Sequence, residues 1–121
     1  MATIQAIQFK VNSNGDGSAN IDVRGLLGLD PTEGDVNCDC VVFGDDPIID
    51  NKLFSFNRLT LGNDTGPEFR FNIDKKLSDL NEDRIGADEI YAEVIVSKNI
   101  GNGIPPDVLA RRKTPTKQVP S

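Results

Sequence analysis

TIQAIQFKVNSNGDGSANIDVR, residues 3–24, decides the fold. Ile7, Phe9 and Val11 fall on one side of an alternating run, with Gln8 and Lys10 on the other. A period of two marks a half-buried strand. Asn12 to Ser18, NSNGDGS, is built of residues that tolerate positive φ and reads as a turn. Alternation resumes over 19–24, with Ala19, Ile21 and Val23 inward. Two alternating runs around such a turn make a β-hairpin.

The pattern continues outward from this hairpin. Residues 25–34 form a connection whose Leu26, Leu27 and Leu29 cap the core. DVNCDCVVF, 35–43, is a strand, and GDDPIIDN, 44–51, an acidic loop. In KLFSFNRLTL, 52–61, Phe54 and Phe56 share one face while Leu59 and Leu61 share the other. A β-bulge near Asn57 reconciles the two phases. After the turn at 62–67, EFRFNID turns Phe69, Phe71 and Ile73 inward. The polar stretch 75–88 holds one short helical turn around Leu77 and Leu80. EIYAEVIVS, 89–97, is the last strong strand, with Ile90, Ala92, Val94 and Val96 on one face. Val108 to Arg111 adds a short edge strand. The expected fold is all-β: an antiparallel β-sandwich of about six to seven strands with a flexible C-terminal tail. No Trp is present and no Cys–Trp–Cys spacing, which excludes an antibody-type domain.

Composition agrees with one small domain. The 121 residues include 11 Gly and 7 Pro, the punctuation that short strands need. Charge is unevenly placed. Residues 1–97 hold 8 Lys and Arg against 18 Asp and Glu, a net charge of −10. Residues 98–121 hold 5 basic residues and 1 acid, a net charge of +4. With alternation ending at the same point, 1–99 is expected to be the sandwich and 100–121 a basic, Pro- and Gly-rich tail, largely extended or disordered. An acidic body repels nucleic acid and anionic membrane. No run approaches the ~20 apolar residues of a membrane span, and no N-terminal stretch has the build of a secretory leader. The expected setting is the cytoplasm, or release as part of a particle.

Catalytic chemistry is poorly supplied. With no His, the commonest general base is missing. No Ser lies in a Gly-x-Ser-x-Gly elbow, and no Walker-type glycine loop is present. Cys38 and Cys40 lie two apart on the apolar Val36, Cys38, Cys40, Val42 face, where free thiols act as small core residues. A single Cys-x-Cys without His does not complete a common zinc site. Paired carboxylates leave a small hydrolase as one alternative.

The acids carry a second alternative. Asn12, Asn14, Asp16 and Gly17 partly resemble the start of an EF-hand loop. However, Val23 stands where that loop needs a bidentate Glu, and the flanks read as strands. In an up-and-down path, loops 12–18, 44–51 and 75–88 emerge at one end. They hold Asp16, Asp45, Asp46, Asp50, Asp79, Glu82, Asp83 and Asp88. Ca²⁺ takes six to eight oxygen ligands in irregular geometry, so these acids are candidate ligands. The arrangement is similar in architecture to C2 domains, β-sandwiches that bind Ca²⁺ between loops at one end. It implies a Ca²⁺-dependent C2-like or lectin-like module. No C2 motif matches residue by residue.

Arg111, Arg112, Lys113 and Lys117 form the tail's basic cluster. Without interleaved aromatics it is not a single-strand stacking platform. It is a candidate for binding an acidic protein neighbour, including another copy of the chain. The leading expectation is a non-enzymatic structural or interaction module, self-assembling or part of a larger complex.

Overall fold

The computed structural model describes residues 2–30, 32, 34–45, 51–62, 64–80 and 89–120. Among them, nine strands form two antiparallel sheets, and the fold is an all-β sandwich. The first sheet has the order β1 (Thr3–Ser13), β2 (Ser18–Gly28), β6 (Glu68–Lys76). The second is built on β3 (Val36–Gly44) and β7 (Glu89–Lys98). β4 (Asn51–Ser55) and β5 (Leu59–Leu61) both pair with β3. β8 (Asp107–Lys113) and β9 (Lys117–Gln118) both pair with β7. One helical turn, α1 (Leu77–Leu80), follows β6 where Leu77 and Leu80 were expected to make one.

The first hairpin forms as its residues dictate. Asn14 N–H donates to the Ser18 carbonyl at 3.0 Å, closing the turn. Gly15 and Gly17 take φ of 79° and 86°, values that a Cβ disfavours. Ile21 and Val23 are fully buried and face Ile73 and Phe71 across the sheet. Val36, Cys38, Cys40 and Val42 of β3 and Ile90, Ala92, Val94 and Val96 of β7 close the core from the other side. Each fully buried Val, Ile or Phe contributes about 1.5–3 kcal/mol, so this double layer dominates the fold's stability.

The phase change in 52–61 has the cause expected. Ser55 pairs with Val41 and Leu59 with Cys38, so Phe56, Asn57 and Arg58 oppose only Asp39 and Cys40. Arg58 returns across this break to clasp Asp39, Nε to Oδ1 at 2.9 Å and Nη2 to Oδ2 at 2.9 Å. A second bulge was not anticipated. In β1, Gln5 pairs with Leu26 and Gln8 with Arg24, so Ala6 and Ile7 oppose Gly25 alone. Ala6 sits at φ 50°, in the left-handed region. The extra residue lets Ile4 and Phe9, five positions apart, both reach the core. Gly25 has no room for a side chain: a Cβ there would lie 2.6 Å from Phe69 Cζ and 2.9 Å from the Gln5 carbonyl oxygen.

The segment 100–121, expected as an extended or disordered tail outside the domain, contributes β8 and β9 to the second sheet. Val96 pairs with Ala110 and Val94 with Arg112. Past β8, the Thr114 hydroxyl accepts from the Ala92 N–H at 2.9 Å, and Thr114 N–H donates to the Ala92 carbonyl at 2.8 Å. Val119 is buried in the core. Composition misled here because a strand is held chiefly by its backbone, which charge and Pro content do not report.

Candidate functional site

The acidic loops come first. Leu77 N–H donates to the Gly17 carbonyl at 2.9 Å, so α1 abuts the first hairpin's turn. Asp45 N–H donates to the Glu89 carbonyl at 2.8 Å, which ties the end of β3 to the start of β7. The described parts of loops 12–18 and 75–88 thus meet, and Asp45 sits beside the start of β7. Among the described residues, however, no three Asp, Glu or Cys side chains are grouped to hold a metal ion. Asp16 is occupied locally: hydrogen bonds from the Ser18 hydroxyl and backbone N–H hold its carboxyl below the usual range. Asp45 and Asp79 join no such group. Asp46, Asp50, Glu82, Asp83 and Asp88 lie outside the described residues.

The basic cluster is largely taken up inside the chain. Arg112 Nη1 donates to the Ile4 carbonyl at 2.7 Å and links β8 to β1 across the sandwich. Arg111 pairs with Glu93 of β7 at 3.4 Å. Lys113 lies over the Tyr91 ring at 5.5 Å. Lys117 is exposed on β9, opposite Ile90. Both cysteines are free and fully buried. Burial, with the nearby Asp39 charge, pushes the Cys38 thiol up to about 12. Burial also drives the Cys40 thiol up, with the Cys38 and Asp39 charges adding to it. Neither supplies a thiolate for metal or redox chemistry at neutral pH.

What periodicity did not reveal is the polar network on the outer face of the first sheet. Asp22 of β2 is 4% exposed. It accepts from Arg24 Nε at 2.8 Å, Arg70 Nε at 2.9 Å and Asn72 Nδ2 at 2.9 Å. Arg24 and Arg70 are cross-strand partners, a like-charge pair that Asp22 neutralises from the next row. Burial pushes the Asp22 carboxyl up. The hydrogen bonds from Asn72, Arg70 and Arg24, with the Arg24 charge, outweigh it and hold the group at about 2. Asp22 is therefore ionised at neutral pH and cannot act as a general acid. Further along, Asn20 and Asn14 both donate to Asp74 Oδ1, at 3.0 and 3.1 Å. The network stiffens β2 and β6 and holds the outer face of β6 in a defined order.

β6 has one hydrogen-bonded neighbour, β2, and its other edge is open among the described residues. Glu68, Arg70, Asn72, Asp74 and Lys76 are exposed on its outer face. Phe69 and Phe71 are buried on its inner face. A groove of about 240 Å³ runs beside this edge, between Arg70–Ile73 of β6 and Ser55–Leu59 of the second sheet. Phe56 closes its base against Phe71, ring centres 5.3 Å apart. A separate apolar patch, Ile100, Ile104 and Val108, is exposed around the β7–β8 connection. The opposite edge of the first sheet, β1, is tied to β8 by the Arg112–Ile4 bond. The open edge was not foreseeable from alternation, which names a strand's faces and not its neighbours.

No known family profile matches the chain, and no curated protein matches it. Among solved structures the chain is similar to part of a β-glucosidase from Kluyveromyces marxianus, at 17% identity and a TM-score of 0.41. All of this chain is covered but 14% of that one, so the chain spans about a seventh of that protein's length. Likeness at this level carries no functional argument.

Proposed function

We propose that this chain is a non-enzymatic contact module, a self-assembling part or connector in a larger protein complex, that joins other chains by strand addition at β6. The open nine-residue edge of β6 carries this reading. Its unpaired backbone N–H and C=O groups are a template for another extended chain, and main-chain hydrogen bonds supply affinity in that mode. The groove beside the edge leaves space for side chains that such a strand turns inward. Short edge strands, bulges and covering segments normally blunt an edge. β4 and β5 are blunted in this way by length and by the Phe56–Arg58 break, and β1 by its tie to β8. β6 is long, regular and uncovered among the described residues.

The test places a photo-crosslinking phenylalanine analogue at Glu68, an exposed outer-face position of β6, and at Val108 as a control. The experiment is run in the cells that make the protein. Adducts with protein at position 68 and few at 108 are expected. Equal yields at both positions, or none at 68, would overturn the reading.

A further inference from the structure

We infer that the strand added to β6 is the β6 of a second copy, related by a two-fold axis through Asn72. This rests on the reading of β6 as the contact edge and names its partner. The outward residues of β6 run Glu68, Arg70, Asn72, Asp74, Lys76. Laid antiparallel on itself about Asn72, this strand sets Glu68 against Lys76 of the other copy, Arg70 against Asp74, and Asn72 against Asn72. Every charged outward residue meets its opposite, and each pair occurs twice. An isologous interface requires this self-complementarity.

No other register does as well. A slip of two residues one way sets Glu68 against Asp74, and the other way Arg70 against Lys76. A slip of one residue puts Phe71 on the outer face of the joined sheet. In the favoured register the central inward residues are apolar on both sides, while Phe69 meets Lys75, whose ammonium already lies 4.7 Å from the Phe54 ring centre. Phe71 meets Ile73, and the groove that Phe56 and Leu59 line lies beside that contact.

The side chains are placed for it. Arg70 is 60% exposed and, among the described residues, bonds Asp22 through Nε alone, leaving its terminal nitrogens for a second carboxylate. Asp74 receives Asn14 and Asn20 on Oδ1, and Oδ2 takes no hydrogen bond among the described residues. Glu68 and Lys76 are exposed and have no ion-pair partner among the described residues. The product is a continuous sheet running β1-β2-β6 and then the partner's β6-β2-β1, with the open edge consumed. The basic residues of β8, held inside the chain, play no part in it.

Sedimentation at about 0.15 M salt tests this, because both long-range repulsion between acidic copies and the local pairs depend on screening. The wild-type chain is expected as a dimer of the 13.2 kDa chain. Glu68→Lys and Lys76→Glu each turn two attractive pairs into two repulsive ones, and each is expected to weaken the dimer about 30-fold. An equimolar mixture of the two variants restores both pairs in a heterodimer and is expected to return to within about threefold of wild type. Thermal melts of each variant confirm that folding is kept. Two results would overturn self-pairing while leaving the contact module standing: a monomer at all concentrations with position-68 adducts to a different protein, or a dimer indifferent to both substitutions and their mixture. A monomer without adducts at position 68 would overturn both.

Discussion

Asp22→Asn should remove about 2 kcal/mol of stability at neutral pH and abolish a defined part of the acid sensitivity. Asp22 is held at about 2, well below the ordinary carboxylate value of 3.8, by the hydrogen bonds from Asn72, Arg70 and Arg24. Each pH unit corresponds to about 1.4 kcal/mol. The sign follows from linkage. A group whose folded value is depressed adds stability above its unfolded value and loses it as pH falls through the folded one. Its contribution is therefore complete above about pH 5, about half gone near pH 3, and nearly absent at pH 2. The carboxylate is only 4% exposed, but Arg24 and Arg70 are 44% and 60% exposed, so solvent screening trims the figure to about 2 kcal/mol. Asn keeps the shape and one acceptor but leaves Arg24 and Arg70 facing each other without a counter-ion. Urea denaturation of both proteins from pH 2 to pH 7 gives the difference curve directly. It should rise from near zero to about 2 kcal/mol. A flat difference, or equal midpoints at pH 7, would refute the claim that Asp22 is an ionised hub of the sheet.

Three further outcomes follow from packing. Gly25→Ala should cost about 1–3 kcal/mol in the same assay, because the new Cβ meets the buried Phe69 ring and the Gln5 carbonyl oxygen; a neutral result would show that the bulge relaxes freely. Cys38 and Cys40 should resist a thiol reagent in native protein at pH 8 and react at once in denaturant, since both are fully buried and protonated; rapid native labelling of either would contradict the core placement. Truncation after Pro106 should abolish cooperative thermal unfolding, because it strips β8, the Thr114–Ala92 bonds and the Arg112–Ile4 tie; an unchanged melt would return 100–121 to the status of a free tail.

The faces of the strands were legible because burial imposes a period of two. Phe9, Ile21, Val23, Cys38, Cys40, Phe71, Val94 and Val96 all point where alternation places them. The phase conflict between Phe56 and Leu59 located the extra residue, since two faces cannot be exchanged without one. The same logic applied to Ile4 against Phe9 would have located the bulge at Ala6. Alternation is silent on Ile4, because a single apolar residue at a strand's start defines no phase. β8 was legible only as a fragment. Its Val108 is exposed, and its Arg111, Arg112 and Lys113 are the residues that composition assigns to solvent. What seats that strand is backbone bonding to β7, one arginine reaching Ile4 and the half-buried Leu109 and Ala110, an apolar pair too short to define a phase.

The candidate site was less legible for a deeper reason. Periodicity is local, whereas strand order is a property of the whole chain. Asp22 and Arg70 stand 48 positions apart and become partners only because β6 crosses over from the second sheet to lie beside β2. The charge order of β6 is different in kind. Glu68, Arg70, Asn72, Asp74 and Lys76 sit in the open in the sequence, alternating with Phe69, Phe71, Ile73 and Lys75. As one strand among several, that order is only a solvated face. On a central strand it would be compared with two neighbours in the same chain and would say nothing about a second copy. The topology removes one of those neighbours, and the order then has a single question to answer: what it pairs with. A strand whose charges invert about its own midpoint answers with itself, because under a two-fold axis each sign meets its opposite without any second sequence having to be specified.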